Sequence, residues 1–276
     1  MSESVHDTFA NQALPLSNAS DAPPILVTAA PYQLRIALAT DDLERLCRLR
    51  FEVFNLELGE GLSHSFRSGT DVDQFDSQCH HLIVEHQNDG VVGTYRLQTA
   101  EMAQPGLGFY SAQEFEIESL QSTILGDAVE LGRACIAKAH RNKSVLFLLW
   151  KGLAEYADFF GKRYFFGCNS LTTQDPIQAW QTFDWLHRNN HLLNGELILP
   201  NSAHLCPRPE PNQAMAESKL FPSRLGRVPP LFAAYLRYGS KVCSQPAIDR
   251  QFGTMDFLTL MDLSKLPRAQ LARFQG

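Results

Sequence analysis

Glu130 and Arg133 stand three residues apart in Val129-Glu130-Leu131-Gly132-Arg133-Ala134-Cys135-Ile136, a run otherwise apolar or small. Charges in such a run are costly unless they are paired or put to use. His140-Arg141-Asn142-Lys143 follows, ahead of a long apolar segment. A buried acid on a strand can take a proton, and a helix start flanked by basic side chains can receive a phosphate. Together they point to a transferase for an activated acyl group on a phosphate-bearing carrier. The plainer readings are a core ion pair and a solvated charged turn.

On a regular strand, residues three apart face opposite sides. A bulge at Gly132 would change that and turn Glu130 and Arg133 towards one cleft. Arg50 and Phe54 lie one helical turn apart and share a face. Asp73 and Asp76 follow in a loop, where aspartates often cap turns. Arg96 shares a strand face with Thr94 and Val92 and can pair with Asp73 or Asp76. Cys135 beside the acid, with His80 or His81 as base, would be a nucleophile; its apolar flanks fit a packed core thiol better.

The elements that must carry these residues are legible in outline. Gln33 to Leu38 reads as a strand, and Asp42 opens an amphipathic helix that fades near Leu58-Gly59. Cys79–His86 and Val91–Gln98, joined across Asn88-Asp89-Gly90, read as a hairpin. A short helix is expected around Ser111–Leu120, a strand over Val129–Ile136, a helix over Ser144–Phe160 and a strand over Arg163–Cys168. Asp175-Pro176 opens a further helix. Residues 200–230 read as a proline-rich loop, with a helix from Pro229-Pro230, a late strand over Met255–Leu263 and a last helix over Pro267–Phe274. This order implies a mixed α/β sheet with helices on its faces.

The 276 residues are 44% hydrophobic and 20% charged, enough for a core without staples. A net charge of −6 speaks against a general nucleic-acid binder. Six cysteines form no C-x-x-C pair and read as reduced core residues of a cytoplasmic protein. His80-His81 and His187/His191 lack a partner at ligand spacing, so no metal is expected. Residues 1–32 read as a flexible tail, without the apolar stretch of a secretory signal. No run approaches the roughly 18–20 apolar residues that span a bilayer.

Taken together, these motifs resemble the GNAT superfamily of acyltransferases, in the branch of the acyl-homoserine lactone synthases and N-acyl amino acid synthases. That branch carries Arg-x-x-x-Phe in its first helix, matched by Arg50 and Phe54; two acids in the next loop, matched by Asp73 and Asp76; an arginine on the hairpin, matched by Arg96; and Glu-x-x-Arg on the central strand, matched by Glu130 and Arg133. Within it, Glu130–Arg133, Leu148–Tyr156, Tyr164–Leu171, Pro229–Leu231 and Phe252–Leu258 most resemble the hemolysin-like L-ornithine N-alpha-acyltransferases of ornithine lipid synthesis. The resemblance covers residues 33–265, leaving a C-terminal helix at 266–276. It implies a GNAT-type (acyl-CoA N-acyltransferase) mixed sheet flanked by helices, with a C-terminal helical and loop extension.

The resemblance also implies a reaction: transfer of a 3-hydroxy fatty acyl group from acyl carrier protein to the α-amine of ornithine. Glu130 would be the base, and N–H groups beside a Gly132 bulge would hold the oxyanion. Arg96 and Arg133 would orient the site or hold the acceptor's carboxylate, while Asp73 and Asp76 would take a second amine or fix the loop. Arg141 and Lys143 would meet the pantetheine phosphate, and with Lys138 and Lys151 the acidic carrier. Phe147, Trp150 and the first helix would line the acyl chain. Arg141-Asn142-Lys143-Ser144 replaces the small residues usual in that turn, which fits one phosphodiester better than a diphosphate; acyl-CoA stays an alternative donor. No resident cofactor is implied; a cytoplasmic place is expected, with peripheral contact at the inner membrane face left open. The rival readings are another amino-acid acceptor, such as glycine, and a non-catalytic carrier-protein or membrane-interaction module.

Overall fold

The computed structural model describes residues 19–210 and 228–266. The expected helix at Pro267–Phe274 and most of the proline-rich loop lie outside them. Strands are β1 (Leu26–Ala29), β2 (Tyr32–Ile36), β3 (His80–His86), β4 (Gly90–Thr99), β5 (Ala128–Ile136), β6 (Tyr164–Leu171), β7 (Lys241–Val242), β8 (Ala247–Asp249) and β9 (Thr254–Asp262). They form one mixed sheet in the order β1-β2-β3-β4-β5-β6-β9-β7, with β8 also on β9. The expected mixed sheet with flanking helices is what the chain forms.

The chain divides into two compact units. The first holds residues 1–96 and 133–152, the second 97–132 and 153–276, so β4 and β5 contribute to both. In the first unit β1, β2 and β3 pair antiparallel in sequence order. β1 corrects the assignment of residues 1–32 to a tail: residues 26–29 pair with β2. Its side chains are mostly exposed, so it carries no apolar alternation to read. The hairpin turns at Asn88-Asp89-Gly90, where Gly90 adopts φ +72°. The first helix, Thr40–Arg50, buries Leu43, Leu46, Cys47 and Leu49 and continues as a π-helix over Phe51–Glu57. Gly152 lies on the Lys143–Phe159 helix; a Cβ there would lie 2.7 Å from Leu34 Cδ2 and 3.0 Å from Leu82 Cδ2, so the missing side chain lets helix and sheet touch.

In the second unit β5 runs parallel to β6 from Ala128 to Glu130, and β6 pairs antiparallel with β9 along its length. The Pro176–Arg188 helix starts as expected, with the Asp175 carboxylate accepting from the Ile177 N–H at 2.9 Å. One core packs Trp180, Phe183 and Leu186 of that helix with Phe232, Leu236, Met255 and Phe257; another packs Phe109, Phe115, Phe166, Leu258 and Leu260. The short helix expected near Ser111–Leu120 is two 3₁₀ turns, Tyr110–Gln113 and Ile117–Ser119. The Pro230–Arg237 helix begins where Pro229-Pro230 marks it.

Candidate active site

Arg50 reaches the loop after the first helix and is fully buried there. Its Nε and Nη2 donate to Asp71 Oδ1 at 3.1 and 2.8 Å, and its Nη1 to Asp76 Oδ1 at 2.7 Å. Arg96 on β4 donates from Nη1 to both oxygens of Asp73 at 2.6 Å and to Asp76 Oδ1 at 3.0 Å. Arg133 completes the set: its Nη2 donates to Asp71, and its guanidinium lies 5.0 Å over the Phe54 ring. Three arginines and three aspartates thus close a network of balanced charge. Burial would push the Asp76 carboxyl up, but Arg50 and Arg96 outweigh it and hold the group well below the usual carboxylate range.

Arg50, Phe54, Asp73, Asp76, Arg96 and Arg133 are therefore together, as their types suggested. Asp71 was missed, although Asp71-x-Asp73-x-x-Asp76 presents it in the same stretch. Asp73 and Asp76 already have guanidinium partners, and Asp76 also accepts from the Asp73 N–H at 2.8 Å. A bulge was expected at Gly132; the structure shows a left-handed residue next to it, Arg133 with φ +50°. A left-handed non-glycine residue costs roughly 1–2 kcal/mol. The pairing of its side chain with Asp71 and Phe54 holds it there.

His81 lies against this network. Its Nε2 donates to the Asp76 carbonyl at 2.9 Å, so that nitrogen carries the proton, and its Nδ1 has no hydrogen-bond partner among the described residues. Burial, opposed by Asp76, brings its pKa down to about 4. The native state thus keeps His81 neutral at pH values where the unfolded chain protonates it. Stability contributed by this group is present above pH about 6.5 and is lost as pH falls towards 4. Urea unfolding of the protein at pH 7.5 and 5.0 should show the lower stability at pH 5.0, with a smaller difference in His81→Phe. An unchanged difference would exclude His81 as its source.

The expected phosphate-binding turn is already engaged. Arg141 Nη1 and Nη2 donate to the two oxygens of Glu57 at 2.6 and 2.7 Å, and Nε to the Ile136 carbonyl at 3.0 Å. Asn142 Oδ1 accepts from the Ser144 and Val145 N–H groups at 3.0 and 3.1 Å, capping the helix that begins at Lys143. Lys143 is exposed beside this cap. Burial pushes the Cys135 thiol up to about 12, consistent with a core residue and poor for a nucleophile. His86, Asp89 and His140 form a cluster unforeseen in the sequence, with Asp89 Oδ2 2.7 Å from His86 Nδ1 and 3.1 Å from His140 Nε2.

Within the second unit, the buried carboxylate of Glu130 accepts from the Tyr110 N–H at 2.9 Å on Oε2 and from the Ser111 N–H at 2.7 Å on Oε1. These donors open the 3₁₀ turn at Tyr110–Gln113. The two backbone bonds fix the carboxylate's orientation. Backbone donors have no side-chain signature, so the sequence could not indicate them.

A second acidic group meets Ser111 through Cys168. Glu114, Cys168 and Asp256 place their ligating atoms within 4.8 Å of one another. Cys168 Sγ donates to Ser111 Oγ at 3.6 Å, and Tyr110 Oη to Asp249 Oδ2 at 3.4 Å. Burial, with Asp256 and Asp249 adding repulsion, pushes the Glu114 carboxyl well above its ordinary range. Burial brings Asp256 up to about 6.

Residues 49–151 match the Acetyltransferase (GNAT) domain family. An L-ornithine N(alpha)-acyltransferase of Brucella abortus is 31% identical over 272 residues, covering 93% of this chain and 92% of its own length. The enzyme of the same name from Rhodobacter capsulatus is 31% identical, covering 86% of this chain and 92% of its own. Among solved structures, a CoA-dependent acyl-homoserine lactone synthase, MesI, aligns with 13% identity and a TM-score of 0.47 over 88% of this chain and 95% of that one.

Proposed function

Because the chain belongs to the family of L-ornithine N(alpha)-acyltransferases and is an acyltransferase, we propose that it moves a 3-hydroxy fatty acyl group from acyl carrier protein to the α-amine of ornithine, giving lyso-ornithine lipid. The observation that carries the acceptor is the 31% identity, across 93% of the chain, with a protein of that name. An amine is mostly protonated at neutral pH and must lose a proton to attack a thioester. Glu130, oriented by two N–H donors, is the group for the proton released in that attack, directly or through a water. The ammonium first gives one proton to solvent; the nitrogen then bonds to the thioester carbon, the C–S bond breaks, and the second amine proton passes to Glu130. The pantetheine thiolate, with an ordinary pKa of about 8.5, takes its proton from water. N–H groups near Gly132 would hold the oxyanion.

Arg50, Arg96 and Arg133 act here as positioning residues. Their guanidiniums are committed to Asp71, Asp73 and Asp76, and Phe54 stacks on Arg133. The donor phosphate falls to Arg141 and Lys143. The Arg141–Glu57 pair is partly exposed, and such pairs contribute little and exchange readily. Phe147 is exposed on the same helix as a candidate wall for the acyl chain. No resident cofactor or metal enters this scheme. No helix among the described residues is long and apolar enough to cross a membrane; a lipid product and an exposed Phe147 support peripheral contact.

The test is an in vitro assay of the purified protein with 3-hydroxyacyl carrier protein or the matching acyl-CoA, and with ornithine, glycine and other amino acids. Product from the carrier protein and ornithine, with Arg141→Ala raising KM for the carrier by about tenfold, is the expected result. Faster turnover with acyl-CoA would overturn the donor assignment, and no product with any amino acid would overturn the whole reading.

A further inference from the structure

A diamino acid brings a second ammonium group that must be recognised if ornithine is to be told from a monoamine. Asp73 and Asp76 are the acids that the motif offers for it, but both are already bound by arginines. The acids without such partners are in the second unit. Glu114 and Asp256 retain only 2% and 3% of their exposure. Both oxygens of Glu114, Asp256 Oδ1 and Thr254 Oγ1 make no hydrogen bond of normal geometry among the described residues, although Tyr110 and Asp256 approach Glu114, and Ser170 and Thr254 approach Asp256. No lysine or arginine among them forms a salt bridge with Glu114 or Asp256. Buried polar atoms are nearly always satisfied, so unpartnered carboxylate oxygens facing one another call for a missing donor. An ammonium supplies one, with three N–H donors and a positive charge.

The position also fits the reaction. Ser111 joins the two groups: its N–H binds Glu130, and its hydroxyl accepts from Cys168, a member of the acidic cluster. Asp256 comes from β9 and Cys168 from β6, whose pairing sets Ser170 opposite Asp256. Two rigid strands and the 3₁₀ turn therefore hold the acids one residue away from the proposed base. We propose that Glu114 and Asp256 form the specificity subsite of the acceptor, binding the side-chain ammonium of a diamino acid while its α-amine is presented to Glu130. The inference rests on the acyl-transfer reading above. Without ligand, burial and mutual repulsion favour the neutral carboxyls; an arriving ammonium binds their ionised form, and the proton it displaces passes to water.

The experiment compares ornithine with norvaline, the same skeleton lacking the δ-amine, in wild type, Glu114→Gln and Asp256→Asn. Both substitutions keep volume and remove charge. Wild type should prefer ornithine, and either variant should lose about 100-fold in kcat/KM for ornithine, mostly through KM, while kcat/KM for norvaline stays within a few fold. A structural role would instead lower both acceptors together, and that result overturns the subsite. Ornithine binding by calorimetry, with no acyl donor present, gives a second readout: weakening in the variants supports the subsite, and unchanged affinity overturns it. Loss of ornithine acylation on chelation, restored by zinc, would also overturn it, in favour of a metal at Glu114, Cys168 and Asp256. If wild type acylates norvaline and glycine but never ornithine, the acceptor assignment of the preceding section fails; if it acylates ornithine and the variants keep the preference, only the subsite fails.

Discussion

Glu130→Gln is expected to lower kcat for acyl transfer by about 10²- to 10⁴-fold, the usual contribution of a positioned general base. The substitution keeps the shape of the side chain but removes its charge. It also turns an NH₂ group towards one of the two N–H donors of Tyr110 and Ser111. One backbone donor is then left unsatisfied, at a cost of about 1–3 kcal/mol in stability. The two effects separate by measurement. Urea unfolding reports the lost hydrogen bond, and initial rates for folded enzyme report the lost base. A variant without its base depends on amine that is already deprotonated, so its rate should climb with pH more steeply than that of wild type as the amine titrates. Acyl transfer undiminished in Glu130→Gln would remove this carboxylate from the chemistry and leave it the role of pinning the Tyr110–Gln113 turn.

The second large effect is on stability. Arg50→Met should destabilise the protein by about 3–5 kcal/mol, because it leaves buried carboxylates on Asp71 and Asp76 without a main partner. A methionine fills much of the volume, so cavity formation is not the source. Arg50→Met combined with Asp71→Asn should be less destabilising than the sum of the single changes, with a coupling of about 0.5–3 kcal/mol. Recovery will be incomplete, since Arg133 also pairs with Asp71. Additive losses below about 1 kcal/mol in chemical denaturation would mean that the network contributes no more than a surface ion pair.

What the sequence revealed, and what it hid, divides by the range of the interactions. Asp175-Pro176 and Asn88-Asp89-Gly90 were legible because each acts within a few residues: a carboxylate reaching the Ile177 N–H, a glycine at φ +72°. The order of acids and bases was legible for a different reason: their types and spacing match a family motif residue by residue. Strand β1 was hidden because it is held by pairing with β2 and not by apolar alternation. A bulge was expected at Gly132; the positive φ is at Arg133, whose side chain pairs with Asp71 and lies over Phe54, contacts far away in the sequence. Asp73 and Asp76 were found, and so was their pairing with Arg96; the hold of Arg50 on Asp76 was not, and together these commitments send the search for an ammonium partner to Glu114 and Asp256. No local pattern joins those two acids; only the β6–β9 register and the Tyr110–Gln113 turn do.

The six cysteines carry no disulfide, and five of them are buried. Burial pushes Cys47, Cys135 and Cys243 up to about 12 and Cys206 up to about 11. Thiols in that state are nearly invisible to alkylating reagents, which react with thiolates in reach of solvent. Their chemistry is therefore governed by how often the surrounding structure opens. Cys47 and Cys135 report on the first unit, Cys206 and Cys243 on the second. The molecule thus contains its own set of chemical clocks, and the order in which its sulfurs are labelled is a record of which half lets go first.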